Sequence, residues 1–283
     1  MSKRSDEFEN KIVLMVNKHS GEYLPQEIPK WLKQEGVIPG AKIIGAEGIG
    51  SLDHRNKTDI IIHLEGSMPI KISAKLRNAD YFGNWYGHNR FLQEFGKEKF
   101  KKITKAATNF ANEWSKTSKA PFVGVSICFG KRSGATALDF TDVFSSKDIL
   151  TIARGSGNSD NPNSVANCMY IADNCAKSIP DLISCIEPIT KDTVNRATDN
   201  FKIAFRPINP ITEGTNRGKN VYSRFVPFKR LPQKTVITEP HELFKLGSFK
   251  KVKPNRLNHN QILDELENEY NIVIPRKQKK KKR

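Results

Sequence analysis

The strongest structural constraint in the sequence is a pair of short apolar runs that one turn separates. The first run, residues 60–64, reads Ile-Ile-Ile-His-Leu, and the second, residues 70–76, reads Ile-Lys-Ile-Ser-Ala-Lys-Leu. Isoleucine is β-branched and favours strands. Gly66 and Ser67, which lie between the runs, favour a turn. The sequence therefore predicts an antiparallel β-hairpin.

This hairpin brings an acid close to a lysine. Asp59 comes directly before the first strand, and Lys75 lies near the end of the second. Side chains alternate along a strand, so Lys71, Ser73 and Lys75 share one face. A carboxylate can hold Mg²⁺, and a lysine can orient an attacking water and offset the charge on a phosphate. The pattern also fits a surface hairpin that carries a few solvated charges, and both interpretations stay open at this point.

The order of Asp59, an apolar strand, a turn and a strand ending at Lys75 resembles the core motif of the PD-(D/E)xK nuclease superfamily. This superfamily includes most type II restriction endonucleases, and the resemblance covers residues 56–76. It implies an α/β fold with a restriction-endonuclease-like core, in which helices flank a mixed central sheet. It also implies that Asp59 is a catalytic metal ligand, that Lys75 is catalytic, that Mg²⁺ is the cofactor and that double-stranded DNA is the substrate.

Ser73 stands where most members of that superfamily carry a second acid. A hydroxyl is a poorer ligand for Mg²⁺ than a carboxylate. A branch of restriction enzymes that cut short palindromes is similar, with Asn or Gln at this position. We therefore assign Ser73 to the catalytic metal site, as a weak ligand or as the holder of a metal-bound water. With fewer carboxylates, we expect one metal ion per active site.

Residues 6–19 are predicted to form a helix with one apolar face. In the superfamily, a glutamate on the first helix often completes the metal site and commonly follows an aromatic residue. Glu9 follows Phe8, so the resemblance makes Glu9 a catalytic candidate and Glu7 the second choice. A glutamate on a helix is also often only a solvated surface residue.

The polar stretch before the hairpin contains three further acidic or basic candidates. Glu47, Asp53 and His54 precede Asp59 and could line the same site. Loop residues of this kind are mostly solvated, and nothing in their spacing selects one of them.

The segment after the hairpin predicts a long helix and then a buried strand. Residues 84–117 place aromatic and aliphatic side chains at helical spacing, with a break possible at Gly96. Residues 121–129 are almost entirely apolar and predict a third central strand. A hairpin, a helix and a strand form the order that the resemblance implies for the nuclease core.

A change in composition suggests a domain boundary after Gly247. We predict a nuclease domain with DNA-recognition elements over residues 1–247. Residues 248–283 are rich in lysine and arginine and are predicted to form a basic, partly disordered C-terminal appendage.

The charge of the chain favours a polyanionic partner. The formal net charge is +17, and the last eight residues contribute seven of the positive side chains, which leaves +10 on the rest. The candidate DNA contacts are Lys71 on the hairpin, Asn89 in an aromatic and polar cluster, and Arg217 and Lys219 in a glycine-containing loop. An aromatic helix start and a plain turn are the alternatives for the last two segments.

Several observations bear on the cellular context. No apolar run reaches the length of a membrane span, and the N-terminus lacks a signal-peptide core. The spacing of the four cysteines matches no zinc finger or redox pair, which favours buried free thiols in a reducing compartment, with a zinc site as the alternative. We therefore expect a cytoplasmic monomer or homodimer without a membrane partner.

These observations lead to one main functional prediction and two alternatives. The main prediction is a type II restriction endonuclease, a hydrolase that cuts double-stranded DNA at a short palindrome with Mg²⁺. The first alternative is a basic DNA-binding protein without catalysis, since Ser73 replaces the usual acid. The second is a repair or recombination nuclease on the same fold.

Overall fold

The computed structural model describes residues 3–49, 56–83, 85–155 and 162–277. The α-helices in these ranges are α1 (Lys3–Lys18), α2 (Lys30–Gln34), α3 (His88–Ser115), α4 (Asp148–Ala153), α5 (Ile179–Cys185), α6 (Lys191–Thr198), α7 (Pro240–Lys245) and α8 (His259–Tyr270). The strands are β1 (Ile43–Gly48), β2 (Ile60–Leu64), β3 (Ile70–Leu76), β4 (Tyr81–Gly83), β5 (Gly124–Gly130), β6 (Ala137–Asp139), β7 (Cys168–Ala172), β8 (Ile186–Pro188), β9 (Lys202–Pro207), β10 (Ser223–Pro227), β11 (Thr235–Val236), β12 (Gly247–Lys251) and β13 (Ile272–Val273). Short 3₁₀ turns lie at Gly134–Thr136, Phe140–Asp142, Pro162–Ser164 and Thr215–Gly218.

The chain forms two compact units, and each unit is built from two separate stretches of sequence. Unit 1 comprises Met1–Phe82 and Ser146–Phe201, and unit 2 comprises Gly83–Ser145 and Lys202–Arg283. Unit 2 thus begins inside the region that the sequence assigns to a single nuclease domain. Among the described residues, no helix has the length and apolar character that crossing a membrane requires.

Unit 1 contains a five-stranded mixed sheet in the order β1-β2-β3-β7-β8. Strands β1, β2 and β3 pair antiparallel, β3 and β7 pair parallel, and β8 returns antiparallel to β7. Ile60 lies opposite Ile72 in the β2–β3 ladder. The predicted hairpin is therefore confirmed, and so is a mixed central sheet with flanking helices.

Helix α1 packs its apolar face against this sheet. Ile12 and Val16 are fully buried in the same core cluster as Ile60 and Ile72. Burying an aliphatic side chain contributes roughly 1.5–3 kcal/mol, so this face fixes the position of α1. The helix predicted over residues 6–19 is confirmed, and its packing holds the residues around Glu9 next to the hairpin.

The strand beside β3 is not the one that the sequence predicts. Residues 121–129 contribute to β5, which belongs to the sheet of unit 2. The neighbour of β3 is β7, where Met169 lies opposite Ser73 and Ile171 lies opposite Lys75. Parallel strands need a crossover connection, and the chain provides it by passing through unit 2 and α4. The sequence favours β5 because that strand is apolar and wholly buried, whereas β7 has only one β-branched residue.

Unit 2 contains a second sheet in the order β12-β10-β5-β9-β6, with antiparallel neighbours. Helix α3 contributes its apolar face to this unit and buries Phe91, Phe95, Phe100 and Ile103. The predicted break is confirmed at Gly96, whose φ of 76° and ψ of 175° interrupt the helix. These angles fall in a region that only glycine adopts readily.

The C-terminal region is part of unit 2 up to the last described residue. Phe249 on β12 pairs with Phe225 on β10, and both are buried. Helix α8 buries Ile262, Leu263 and Leu266. Residues 248–277 therefore do not form a separate appendage, and the predicted boundary at residue 247 is wrong. The composition of this segment is dominated by charge, but a few well-spaced apolar residues pack it into unit 2. Residues 278–283 of the basic tail lie outside the described part of the chain.

The backbone at Gly96 gives a first prediction. Replacing Gly96 by Ala forces a Cβ into a conformation that L-residues avoid, although no atom lies within 4 Å of the added carbon. We expect Gly96→Ala to lower the free energy of unfolding by about 1–3 kcal/mol. Urea denaturation followed by circular dichroism measures this change.

Gly218→Ala is the matched control, because its Cβ also meets open space and its φ is not positive. We expect its effect to stay within about 0.5 kcal/mol. Equal destabilisation by both variants would contradict the role that we assign to the backbone of Gly96.

Candidate active site

The carboxylate of Asp59 is held by three consecutive residues of β3. Asp59 Oδ2 accepts hydrogen bonds from Lys75 Nζ at 2.7 Å, from the Ala74 backbone N–H at 2.8 Å and from Ser73 Oγ at 3.3 Å. The Asp59 backbone N–H donates to the Ile72 carbonyl at 2.9 Å. Strand β3 therefore fixes both the backbone and the side chain of Asp59, the residue directly before β2.

Lys75 forms a partly buried ion pair with Asp59. The two side chains are only 21% and 15% exposed, respectively. Lys75 Nζ also donates to the Ala74 carbonyl at 2.8 Å. Two acceptors restrict the ammonium group more than a single partner would. This pair should therefore be more persistent than an exposed ion pair, which typically contributes ~0–1 kcal/mol.

Glu9 reaches the same place from α1. The pKa of Glu9 is raised to about 7, first by burial and then by the charge of Asp59, while the charge of Lys75 opposes the rise. The ring of Phe8, the preceding residue, stacks on Tyr170 of β7 with 5.8 Å between the centroids. The structure thus brings together Glu9, Asp59, Ser73 and Lys75, the four residues that the sequence proposes as catalytic.

Ser73 is 4% exposed, and its hydroxyl points at the Asp59 carboxylate. The role visible in the structure is to hold Asp59, through a hydrogen bond that is long for an O–H donor. Ser73 is close enough to Asp59 to contribute an oxygen to the same site.

The oxygen atoms at this site suit Mg²⁺. The site offers the carboxylates of Glu9 and Asp59, the Ser73 hydroxyl and the Ala74 carbonyl, and Mg²⁺ is usually bound through one or two carboxylates plus water and phosphate. Asp59 Oδ1 accepts no hydrogen bond from any described residue, which leaves it available to a cation. In the described ranges, no group of three or more His, Cys, Asp or Glu residues forms a metal cluster. These oxygen atoms are therefore of the kind that Mg²⁺ binds, and a magnesium ion at this site stays a prediction.

The electrostatic balance of the site supports this fit. Two carboxylates face a single ammonium group, and the raised pKa of Glu9 results from burial and then from the charge of Asp59. A divalent cation would supply the missing positive charge and favour the ionised form of Glu9.

Lys71 lies on the same face of β3 but in a different charged environment. Burial lowers the pKa of Lys71, the charge of Arg154 lowers it further, and Glu35 raises it. Arg154 Nη2 lies 3.8 Å from Glu35 Oε2. Lys71 therefore has its own set of charged neighbours, and its contact with DNA stays a prediction.

The three DNA contacts predicted in unit 2 differ in their surroundings. Asn89 is exposed on the first turn of α3. Lys219 is half-buried, with its Nζ 5.6 Å from the centre of the Trp85 ring. Arg217 is only 8% exposed. Its Nε donates to the Gly214 carbonyl at 2.9 Å, and its Nη2 donates to the Lys277 carbonyl at 2.6 Å.

The burial of Arg217 corrects its predicted role as a DNA contact. Its guanidinium fastens the C-terminal segment to the 3₁₀ turn at Thr215–Gly218. The polar, glycine-containing sequence suggests an exposed loop, but the segment packs against the chain that follows α8. We therefore do not retain Arg217 among the candidate contacts.

The remaining candidates have other surroundings or lie outside the described residues. Glu47 Oε1 is 3.0 Å from His63 Nε2, and Glu7 is exposed on α1. Asp53 and His54 fall outside the described residues. All four cysteines are free thiols, but the predicted burial holds only for Cys128 and Cys168, since Cys175 is half-buried and Cys185 is exposed.

The contribution of Ala74 could not be found from the sequence. Its N–H binds Asp59 and its carbonyl binds Lys75, so only its backbone takes part. Any residue type supplies these groups, and no sequence signal distinguishes them.

No protein-family model, curated protein or solved structure matches the chain.

Glu9 makes the stability of the protein depend on pH. Its pKa is about 7 in the folded protein against an ordinary value of 4.5, so the folded state binds this proton more tightly than the unfolded state does. The contribution to stability is complete below pH 4.5 and is lost as the pH rises towards 7. Glu9→Gln cannot titrate, so its free energy of unfolding should fall less between pH 5 and pH 8. Urea denaturation in EDTA at both values measures the difference.

Glu7→Gln is the control, because Glu7 lies two residues away on α1 and is exposed. Its pH dependence should follow that of the wild-type protein. Parallel curves for Glu9→Gln and wild type would show that Glu9 titrates normally.

Proposed function

We propose that the protein is a Mg²⁺-dependent deoxyribonuclease of the type II restriction class, a restriction-system endonuclease that cuts double-stranded DNA at a short palindrome. The observation that carries this proposal is the 2.7 Å contact between Lys75 Nζ and Asp59 Oδ2, with Glu9 within electrostatic reach of both. The resemblance of residues 56–76 to the PD-(D/E)xK motif concerns the same acid and the same lysine.

The topology of unit 1 supports a restriction-endonuclease-like core. Unit 1 begins with a helix and three antiparallel strands. A crossover that contains a helix then leads to a strand parallel to β3. This order is compatible with the hairpin, helix and strand that the resemblance implies. In unit 1, α4 and β7 take the places that the sequence gives to α3 and β5.

Each residue of the site has a role in the proposed reaction. Asp59 and Glu9 would hold Mg²⁺, with the Ser73 oxygen beside them. When bound, Mg²⁺ would polarise a phosphate oxygen and lower the pKa of a bound water. The ammonium group of Lys75 would orient the attacking water and stabilise the negative charge that grows on the phosphate in the transition state.

The ion pair also explains why Lys75 would be ready for this role before DNA binds. Asp59 Oδ2 and the Ala74 carbonyl restrict its Nζ at 2.7 Å and 2.8 Å. A group held in place by the folded protein needs little reorganisation during the reaction. The lysine would therefore stay positioned beside the phosphate.

The charge of the chain favours DNA as its partner, and the symmetry of a palindrome concerns the number of protein copies that bind. A net charge of +17 favours binding to a polyanion, and such binding weakens steeply as salt increases. A palindromic site has two-fold symmetry, which a homodimer would match. A monomer would cut the two strands in successive events.

Substitution of the acid or the lysine should separate binding from cleavage. We expect Asp59→Ala and Lys75→Ala to lower the rate of plasmid cleavage with Mg²⁺ about a hundredfold or more. Both variants should still bind duplex DNA, because the basic surface remains. Lys33→Ala, which removes an exposed lysine on α2, is the control and should cleave normally. Cleavage at the wild-type rate by both Asp59→Ala and Lys75→Ala would contradict the assignment of these two residues.

The same assay distinguishes the competing functions. A basic DNA-binding protein without catalysis is favoured by Ser73, which is neutral and is engaged with Asp59. That protein would retard plasmid and leave it intact. A repair or recombination nuclease would prefer branched or nicked DNA, whereas a restriction enzyme would give discrete bands from any duplex that contains its site.

A further inference from the structure

A tryptophan in unit 2 gathers positively charged groups around it. The guanidinium carbon of Arg206 lies 5.3 Å from the centre of the Trp85 ring, and Lys219 Nζ lies 5.6 Å from it. Cations at such distances are attracted by the electrons of the ring. We call Trp85, Arg206, Lys219 and Arg132 the cation–indole cluster.

Arg132 belongs to this cluster through a shared neighbour, the Cys128 thiol. Burial raises the pKa of Cys128 to about 11, and a hydrogen bond from the Trp85 backbone and the charges of Arg206, Lys219 and Arg132 oppose the rise. All three cations therefore act on one buried atom of β5. Positive charges gathered on one side of a unit attract a polyanion.

The backbone of Trp85 is fixed in an uncommon conformation. Its φ is 50°, which bulky residues rarely adopt. Cys128 binds the Trp85 backbone, and Tyr222 Oη donates to the Tyr86 carbonyl at 3.1 Å. Strained residues persist where the surrounding structure determines their conformation, and they are concentrated at functional sites.

Two of the cations are not neutralised by nearby acids. Arg132 Nε donates to the Thr136 hydroxyl at 2.6 Å, and Lys219 Nζ lies over the Trp85 ring. Neither makes an ion pair with a carboxylate in the part of the chain that the structure describes. Their charge therefore remains available to an external anion.

We propose that the cation–indole cluster binds the phosphate backbone of duplex DNA and gives unit 2 a contact that does not depend on base sequence. This inference rests on the proposed function for the choice of DNA. Guanidinium groups match phosphate through paired hydrogen bonds, and an ammonium group binds it as a point charge. The indole orders these long side chains before DNA arrives, which lowers the entropy cost of binding.

Salt dependence tests the proposal directly. The experiment measures the binding of full-length protein to a labelled DNA duplex in EDTA, by fluorescence anisotropy, over a range of salt concentrations. Each phosphate contact contributes about 0.9 to the slope of log K against log salt. We expect Lys219→Gln and Arg132→Gln each to reduce the slope by about that amount, and to weaken binding equally for unrelated sequences.

Trp85→Leu tests the role of the indole. It removes no charge, so the net charge of the protein stays the same. We expect the binding of DNA to weaken about two- to fivefold for each cation whose contact with the indole ring is removed. Binding as tight as that of the wild type would overturn the role of the ring.

Lys229→Gln is the matched control, because it removes one exposed positive charge elsewhere in unit 2. It should change the slope much less than Lys219→Gln does. An equal change would mean that net charge alone matters, and it would overturn the proposal. Unfolding curves that coincide with the wild type confirm that each variant is folded.

Three other results would also overturn the proposal. They are an unchanged slope in both cation variants, weakening that is restricted to one DNA sequence, and tighter binding of an RNA duplex through Lys219. Because EDTA removes Mg²⁺, the binding result does not depend on cleavage. Protein that binds DNA through the cluster but never cuts plasmid would support the cluster and contradict the nuclease proposal.

Discussion

The candidate active site depends on the way β3 holds the Asp59 carboxylate. The ammonium of Lys75, the backbone N–H of Ala74 and the hydroxyl of Ser73 all converge on Oδ2. This convergence requires the register that sets Ile60 opposite Ile72. A slip of one residue would turn Ser73 and Lys75 to the opposite face of the sheet. The buried isoleucines of the hairpin therefore determine the geometry of the polar site, although they take no part in its chemistry.

Helix α1 adds the second carboxylate and with it an excess of negative charge. Glu9 and Asp59 share one ammonium, and burial of Glu9 increases the cost of ionising it. A bound cation would remove that cost, so this arrangement favours cation binding more than a balanced ion pair would. It also gives a physical meaning to Ser73. Its neutral hydroxyl holds Asp59 in place without adding a third negative charge beside Glu9 and Asp59.

The two units present different chemistry. Unit 1 contains carboxylates around a lysine, an arrangement that suits a metal ion and a phosphate together. Unit 2 contains cations around a tryptophan, which suits the phosphate backbone alone. In the proposed nuclease, unit 1 would cut and unit 2 would add affinity that does not depend on sequence. The buried Arg217 shows that a basic residue in a polar segment can instead serve the fold, here by fastening the C-terminal chain.

The sequence alone determined the hairpin, α1 and the break at Gly96, because strand alternation and helix periodicity are local properties. The residues Glu9, Asp59, Ser73 and Lys75 were selected by the resemblance to the nuclease motif, and the folded chain brings them together. Only the tertiary structure decided that β7 and not β5 adjoins β3, and that residues 248–277 belong to unit 2. Burial depends on distant segments, and the same apolar strand suits either sheet. The backbone of Ala74 and the cations around Trp85 likewise become visible only when the folded chain brings distant residues together.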